Sequence, residues 1–232
     1  DGVTVAGQSA GAHSIHALMD WGNCGKLFHR AIAHSCPAVG MPTAESGDAL
    51  YKAFIETLGS DPFTADPSML LRAQARIMKQ SASTLPFAPA APATPVTGGR
   101  VDVLTAWTAQ DAGFFVLNGR PQSWLDTFRG RLLCGLATRA VFGKGSREMA
   151  RLARASGGEA EMLQINWGAD NRPWRACHCV ELPLLMGARN AWSSAPALAS
   201  VTPDELNRAG TAMRKLWGAV ATRERRGGWA DD

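Results

Sequence analysis

The sequence predicts an α/β protein whose mostly parallel sheet is covered by helices on both faces. Short apolar runs at 3–6, 30–34, 101–107 and 161–167 alternate with longer segments of helical character. Strands that are separated by helices pair in parallel, because each connection returns the chain to the same end of the sheet. The chain has 232 residues, of which 46% are hydrophobic and 19% charged, so it is long enough to form one globular domain over 1–232 with a large core.

The first strand and helix are defined by a change of residue pattern. Val3-Thr4-Val5-Ala6 is a β-branched apolar run, and a helix is predicted from about Gly11 onward. A glycine-rich turn at 22–25 then leads into the second strand at 30–34.

Two helices are predicted after the second strand. The first spans 44–58 and ends at Gly59, and the second spans 67–80 with a proline in its first turn. Residues 85–95 are rich in proline and alanine, which is typical of an extended connection.

The remaining elements continue the alternation. A strand with β-branched and aromatic content is predicted at 101–107, and a strand with alternating polarity at 161–167. Helices are predicted at 123–142 and 146–156, and a long amphipathic helix at 203–223.

A G-x-S-x-G pentapeptide, Gly7-Gln8-Ser9-Ala10-Gly11, lies where the first strand meets the first helix. In this strand–turn–helix setting the motif predicts a nucleophile elbow with Ser9 as the nucleophile. We expect both glycines to be required, because a turn this sharp leaves no room for side chains beside a strained serine. The amide of Ala10 and the start of the helix face the position where an oxyanion would develop, so Ala10 is the predicted oxyanion donor.

A serine hydroxyl needs a base, and histidine serves this purpose at neutral pH. His178 follows the strand at 161–167 after a polar loop, at the end of the sheet where such a base is needed. The alternative is an ordinary loop histidine that bonds its neighbours. His13 and His16 lie on the helix after Ser9, too close in sequence to reach over it, and His29 and His34 flank an apolar strand and favour structural roles.

Asp111 is the candidate acid that orients the base. It follows the carboxyl end of the strand at 101–107 and gives the order serine, acid, histidine along the chain. The alternative for Asp111 is a helix N-cap, a common position for aspartate. Asp102 lies at the wrong end of the strand, and Glu181 and Asp170 are the substitutes to consider if Asp111 fails.

Four segments together resemble the type-B carboxylesterase family, the cholinesterase-like branch of the α/β-hydrolases. They are DGVTVAGQSAGAHSI at 1–15, GKLFHRAIAHS at 25–35, LTAWTAQDAGFF at 104–115 and CHCVELPLLMG at 177–187. The resemblance implies an α/β-hydrolase fold and a serine hydrolase of small-molecule carboxylic esters. It implies Ser9 as nucleophile, Asp111 as acid, His178 as base and the Ala10 amide as one oxyanion donor.

The chain also departs from this family. Asp111 stands where the family usually has glutamate, and Gln110 stands where an acidic residue is usual. The family's Gly-Gly oxyanion loop and first strands lie upstream of the segment that resembles 1–15, so we expect a chain that lacks the N-terminal strands, has an open sheet edge and is a poor catalyst alone. The alternatives are a non-catalytic cholinesterase-like interaction domain and an inactive gene fragment.

Composition excludes several other classes. The net charge of +4 includes only one short basic cluster, at 223–226, which does not predict nucleic-acid binding, and no stretch of 18 apolar residues predicts a membrane span. Five cysteines without regular spacing favour reduced thiols and a cytoplasmic location. Adjacent side chains in 177–179 diverge, so we expect no metal there, and no cofactor elsewhere.

The substrate pocket is not defined by any motif. Four aromatic residues either line an acyl pocket or belong to the core. They are Trp21, Phe114, Phe115 and Trp192.

Overall fold

The structure is a computed structural model that describes residues 2–22, 24–80, 87–92, 99–168, 174–187 and 189–222. It contains a four-stranded sheet in which every neighbouring pair of strands is parallel and the spatial order follows the order along the chain. This confirms the predicted α/β class. The strands are β1 (Thr4–Gln8), β2 (Arg30–His34), β3 (Asp102–Thr108) and β4 (Ala160–Ile165).

Helices connect the strands and cover the sheet. They are α1 (Ala10–Asp20), α2 (Cys24–Leu27), α3 (Ala44–Leu58), α4 (Pro67–Gln80), α5 (Gly113–Leu117), α6 (Phe128–Thr138), α7 (Lys144–Ala155), α8 (Leu182–Met186) and α9 (Pro203–Thr222). The predictions for α3 and α4 have the observed bounds. Gly59 ends α3 in the left-handed conformation, with φ 69°, as expected of a glycine C-cap.

The single helix predicted over 123–142 is wrong. The chain instead forms a 3₁₀ turn at Gln122–Asp126, then α6, then a π-helical turn at Arg139–Gly143. The break falls at Thr127, whose backbone is extended and whose hydroxyl accepts a hydrogen bond from the Gly130 amide, so Thr127 caps α6. Residues 87–92 contain no helix or strand, and the rest of the predicted connection at 85–95 lies outside the described residues.

The core lies on both faces of the sheet, because successive residues of a strand point to opposite sides. Ala31, Ala33 and Val103 face α1 and α7 in the larger cluster. Ile32 and Leu104, which alternate with them, pack against α9 in a second cluster. This burial on both faces explains the nearly continuous apolar sequence of β2 and β3.

The carboxyl ends of the strands form one edge on which the polar residues of interest meet. In the register, Gln8 is opposite His34, and His34 is opposite Ala106. The residues that follow β1, β2 and β3 therefore emerge side by side at this edge.

In the part of the chain that the structure describes, β1 pairs with β2 alone and forms an edge of the sheet. Its residues are half-buried or exposed, whereas most residues of β2 and β3 are buried. Association of this chain through the open edge remains a prediction.

Candidate active site

Ser9 lies in a strained turn between β1 and α1. Its backbone has φ 54° and ψ −113°, values that a residue with a side chain rarely adopts. The Ser9 amide donates to the His34 carbonyl at 2.9 Å, and the Ser9 carbonyl accepts from the His13 amide at 2.9 Å. These bonds fix the serine, while the Ala10 amide begins α1 and has no carbonyl within the helix to bond.

The two glycines of the pentapeptide differ. A Cβ atom at Gly7 would lie 2.5 Å from the carbonyl carbon of Gly11, so a side chain is excluded there by the backbone of α1. Apart from its chain neighbours and the adjoining backbone of α1, a Cβ atom at Gly11 would meet no described atom within 4 Å. The prediction that the turn leaves no room at both positions is therefore wrong for Gly11.

We expect Gly7→Ala to destabilise the fold and Gly11→Ala, its matched control, to leave it intact or stabilise it. The added methyl group at position 7 must push β1 and α1 apart, at about 1–3 kcal/mol. At position 11 alanine is the better helix former, by about 0.5–1 kcal/mol. Urea unfolding midpoints of both variants test this difference, and equal midpoints would contradict it.

Asp111 is fully buried and uses both carboxylate oxygens. Its Oδ2 accepts from the Ser35 hydroxyl at 2.7 Å and from the Thr108 amide at 3.0 Å. Asp111 does not cap a helix: α5 has Ala112 as its N-cap, and the Ala112 amide bonds the Thr138 hydroxyl. Ser35 was missed from the sequence, although it follows β2 directly, as Ser9 follows β1.

His178 is brought to Asp111 by a local pairing of backbone segments. Gln110 and Cys177 form an isolated parallel bridge, the Gln110 amide bonds the Ala176 carbonyl at 2.9 Å, and the Gln110 side chain accepts from the Ala176 amide at 3.1 Å. His178 Nδ1 then lies 2.5 Å from Asp111 Oδ1. The bond joins the ring of His178 to a carboxylate, the arrangement expected of a base and its acid.

The surroundings of His178 act on its pKa in opposite directions. Burial alone would lower it, but the hydrogen bond to Asp111, with a smaller effect of the Cys179 thiol, outweighs burial and raises the pKa to about 10. A raised pKa means that the imidazolium is favoured at neutral pH and that the neutral form, which can accept a proton, grows as the pH rises.

The structure shows no hydrogen bond between Ser9 and His178. The Nε2 atom of His178 instead lies 3.4 Å from Nε2 of Gln8, the residue before the serine. Gln8 was not singled out from the sequence. Its place beside the serine in the pentapeptide is the signal that would have found it.

Two aromatic rings flank His178. The ring centroid of Phe115 lies 5.4 Å from that of His178, and the centroid of Phe142 lies 5.0 Å away. Among the four aromatic candidates for a pocket, Phe114 packs on Trp174 and Trp21 donates to the Ala90 carbonyl. Phe142 was missed because it falls in the π-helical turn after α6.

Glu181 does not replace Asp111. It is fully buried, and its Oε1 lies 3.5 Å from His34 Nδ1, while Trp217 donates to His34 Nε2 at 3.3 Å. The other substitute, Asp170, and the basic cluster at 223–226 lie outside the described residues.

Two further findings concern ligands and membranes. Across the described ranges, no three histidine, cysteine, aspartate or glutamate side chains are grouped so that they could hold a metal ion. No helix in those ranges combines the length and apolar character that a membrane crossing requires.

Two named hydrolases are similar to this chain in sequence. A protein of Rhodococcus erythropolis named as a probable N-octanoylanthranilate hydrolase, AqdA2, is 32% identical over 241 residues, which cover 93% of this chain and 53% of that protein. The phenmedipham hydrolase of Pseudarthrobacter oxydans is 26% identical over 262 residues, with the same two coverages. The chain therefore spans about half the length of these relatives.

Similarity in structure extends over the whole chain. The carboxylesterase EST55 of Geobacillus stearothermophilus, in its crystal structure at pH 6.2, matches 100% of this chain and 57% of its own, with a TM-score of 0.64 and 17% sequence identity. No protein-family model matches the sequence. The chain therefore has the α/β fold of this carboxylesterase and is similar in sequence to part of two proteins that are named as hydrolases.

Proposed function

We propose that this chain carries the acyl-transfer site of a serine esterase, with Ser9 as nucleophile, His178 as base and Asp111 as acid. The observation that carries the proposal is the 2.5 Å contact between His178 Nδ1 and Asp111 Oδ1, because it leaves Nε2 of the same ring at the end of β1, where Ser9 lies. The turn at Ser9 serves as the nucleophile elbow in this proposal.

In the acylation step, Ser9 Oγ attacks the ester carbonyl while His178 Nε2 takes the hydroxyl proton. The resulting imidazolium is stabilised by Asp111, which stays ionised. His178 then passes the proton to the leaving alcohol oxygen as the carbon–oxygen bond of the ester breaks. The Ser9 hydroxyl must first turn toward His178, since catalytic hydrogen bonds often tighten only when substrate binds.

Deacylation repeats the same chemistry with water. His178 removes a proton from a water molecule, whose oxygen attacks the acyl carbon attached to Ser9. Collapse of the intermediate breaks the bond to Ser9 Oγ, and the imidazolium returns the proton to that oxygen. The products are the carboxylic acid and the regenerated serine.

Charge on the substrate oxygen is stabilised in this proposal by the Ala10 amide at the start of α1. One donor is fewer than such sites normally use, and loss of one donor typically costs about 10²–10³ in rate. We therefore propose slow turnover for these 232 residues when they are isolated.

Small-molecule carboxylic esters are the proposed substrates. Two relatives named as hydrolases of small molecules support a small-molecule substrate, and each aligns with 93% of the chain. The ester class itself comes from the resemblance to carboxylesterases. The rings of Phe115 and Phe142 beside His178 favour a substrate with an apolar group next to the scissile bond.

The proposal is tested with an irreversible fluorophosphonate probe, because covalent labelling accumulates over hours even at a slow site. We expect the wild-type chain to be labelled and Ser9→Ala to remain unlabelled. Ser14→Ala is the matched control, since Ser14 is an exposed serine on the same helix, bonded to the Ala10 carbonyl. Absence of labelling in the wild type would favour the non-catalytic interaction domain, and labelling of Ser9→Ala would exclude Ser9 as the nucleophile.

A further inference from the structure

The Gln8 side chain contacts the nitrogen of His178 that the proposed reaction uses. Gln8 is the last residue of β1, and its Nε2 lies 3.4 Å from His178 Nε2. The other ring nitrogen of His178 is held by Asp111. Both nitrogens therefore have a polar neighbour, one a carboxylate and the other an uncharged amide.

The amide of Gln8 can form a hydrogen bond with either protonation state of the His178 ring, because it can donate or accept. A neutral His178 that donates from Nδ1 to Asp111 has a lone pair on Nε2, which accepts from the Gln8 amide nitrogen. An imidazolium donates from Nε2, and the amide then presents its oxygen by rotation about its last bond. A carboxylate at position 8 would only accept, so it would bond the imidazolium alone.

Few other charges face His178. Asp111 contributes a carboxylate from the loop after β3, Cys179 contributes a thiol from the segment of His178 itself, and α5 and the π-helical turn contribute the uncharged rings of Phe115 and Phe142. With glutamine at position 8, the carboxylate that contacts the ring is that of Asp111, whereas glutamate at position 8 would place a second carboxylate beside Nε2.

We infer that Gln8 is a positioning residue that holds His178 Nε2 at the end of β1, next to Ser9 in sequence, in both protonation states and, being uncharged, adds no second carboxylate that would stabilise the imidazolium further. Its catalytic consequence rests on the function proposed above. The contact with Gln8 must open when Ser9 Oγ takes its place at Nε2. At 3.4 Å it is a long hydrogen bond, and thus an easily exchanged one.

The test compares Gln8→Glu, which changes charge at constant length, with Gln8→Met, which removes hydrogen bonding without adding charge. The titration of His178 is followed by NMR of its ring protons, assigned by the signal that His178→Gln loses. We expect Gln8→Glu to raise the pKa of His178, because a carboxylate at this distance favours the imidazolium. Gln8→Met should leave it much nearer to the wild-type value.

Measurements of kcat and KM for the two variants separate the positioning effect of the Gln8 side chain from the effect of its lack of charge. For Gln8→Glu we expect the acid limb of the kcat profile to move to higher pH, so that kcat at a fixed neutral pH falls below that of the wild type. For Gln8→Met we expect a loss of roughly 3- to 10-fold in kcat, the worth of one hydrogen bond, with KM unchanged.

An unchanged His178 titration in Gln8→Glu would overturn the inference, as would a wild-type kcat in Gln8→Met. The NMR arm needs no turnover. If Ser9→Ala kept its activity, the proposed function would fail while the assignment of Gln8 to His178 could still stand or fall by titration.

Discussion

Replacement of Ser9 by alanine is expected to lower ester hydrolysis by roughly 10⁴-fold or more, and replacement of His178 by alanine to do the same. In the proposed reaction, Ser9 Oγ forms the bond to the acyl carbon and His178 Nε2 takes up and releases the proton. Each substitution removes one of these two groups. The measurement is release of p-nitrophenol from a short aryl ester, by this chain or by a longer one that contains it.

A double variant makes this expectation sharper. Because a nucleophile and its base act as one unit, Ser9→Ala combined with His178→Ala should lose little more than either change alone. Losses that multiplied would indicate two independent roles. The exposed Ser14→Ala should retain full activity, and unchanged hydrolysis in Ser9→Ala would assign the nucleophile to another residue.

Asp111→Asn is expected to lower kcat by a similar factor, up to about 10⁴, through the orientation of its amide. The Thr108 amide donates to Oδ2 and can only donate, so the oxygen of an asparagine must occupy that position. Its NH₂ group then faces His178 Nδ1. The imidazole is forced to carry its proton on Nε2, where it cannot accept the proton of Ser9.

The same substitution should move the titration of His178 downward. The hydrogen bond to Asp111 opposes the effect of burial and raises the pKa of the imidazole, so without the carboxylate burial prevails and the pKa falls. The residual activity of Asp111→Asn should therefore reach its plateau at lower pH than wild-type activity does. An acid limb at the wild-type pH would contradict the assignment of Asp111.

Asp102→Asn is the matched control, because it removes a carboxylate from the other end of the same strand. Asp102 Oδ1 accepts from Arg100 at 3.3 Å and from the Glu159 amide at 3.0 Å, remote from His178. We expect its kcat profile to match that of the wild type.

The sequence was most informative where a local rule applies. The bounds of α3 and α4 follow from a glycine C-cap and an N-terminal proline, and those of β2 from a short apolar run. The helix predicted over 123–142 failed because the capping role of Thr127 and the following π-helical turn depend on tertiary packing, which residue preference alone does not contain.

The candidate site was predictable in its chain order but not in its supporting contacts. Asp111 and His178 were chosen because each follows the end of a strand, and the structure brings them within 2.5 Å. Ser35 could have been found by applying the same rule to β2. Gln8 could have been found from its place beside Ser9 in the pentapeptide, whereas the contact of Phe142 with His178 depends on side-chain directions that no sequence pattern specifies.

The strand order bears on how the protein is made. Because β1 to β4 lie in space as they lie in sequence, each strand after β1 leaves the ribosome with one partner already synthesised, and the sheet can grow in one direction. The candidate site cannot form this way until His178 has been synthesised, since Gln8 and His178 are 170 residues apart. At about 5–20 residues per second, a nascent chain presents Ser9 without its base for roughly 10 to 30 seconds. Under the proposed function, Ser9 therefore has no base until β4 and the segment that carries His178 have been synthesised and have docked.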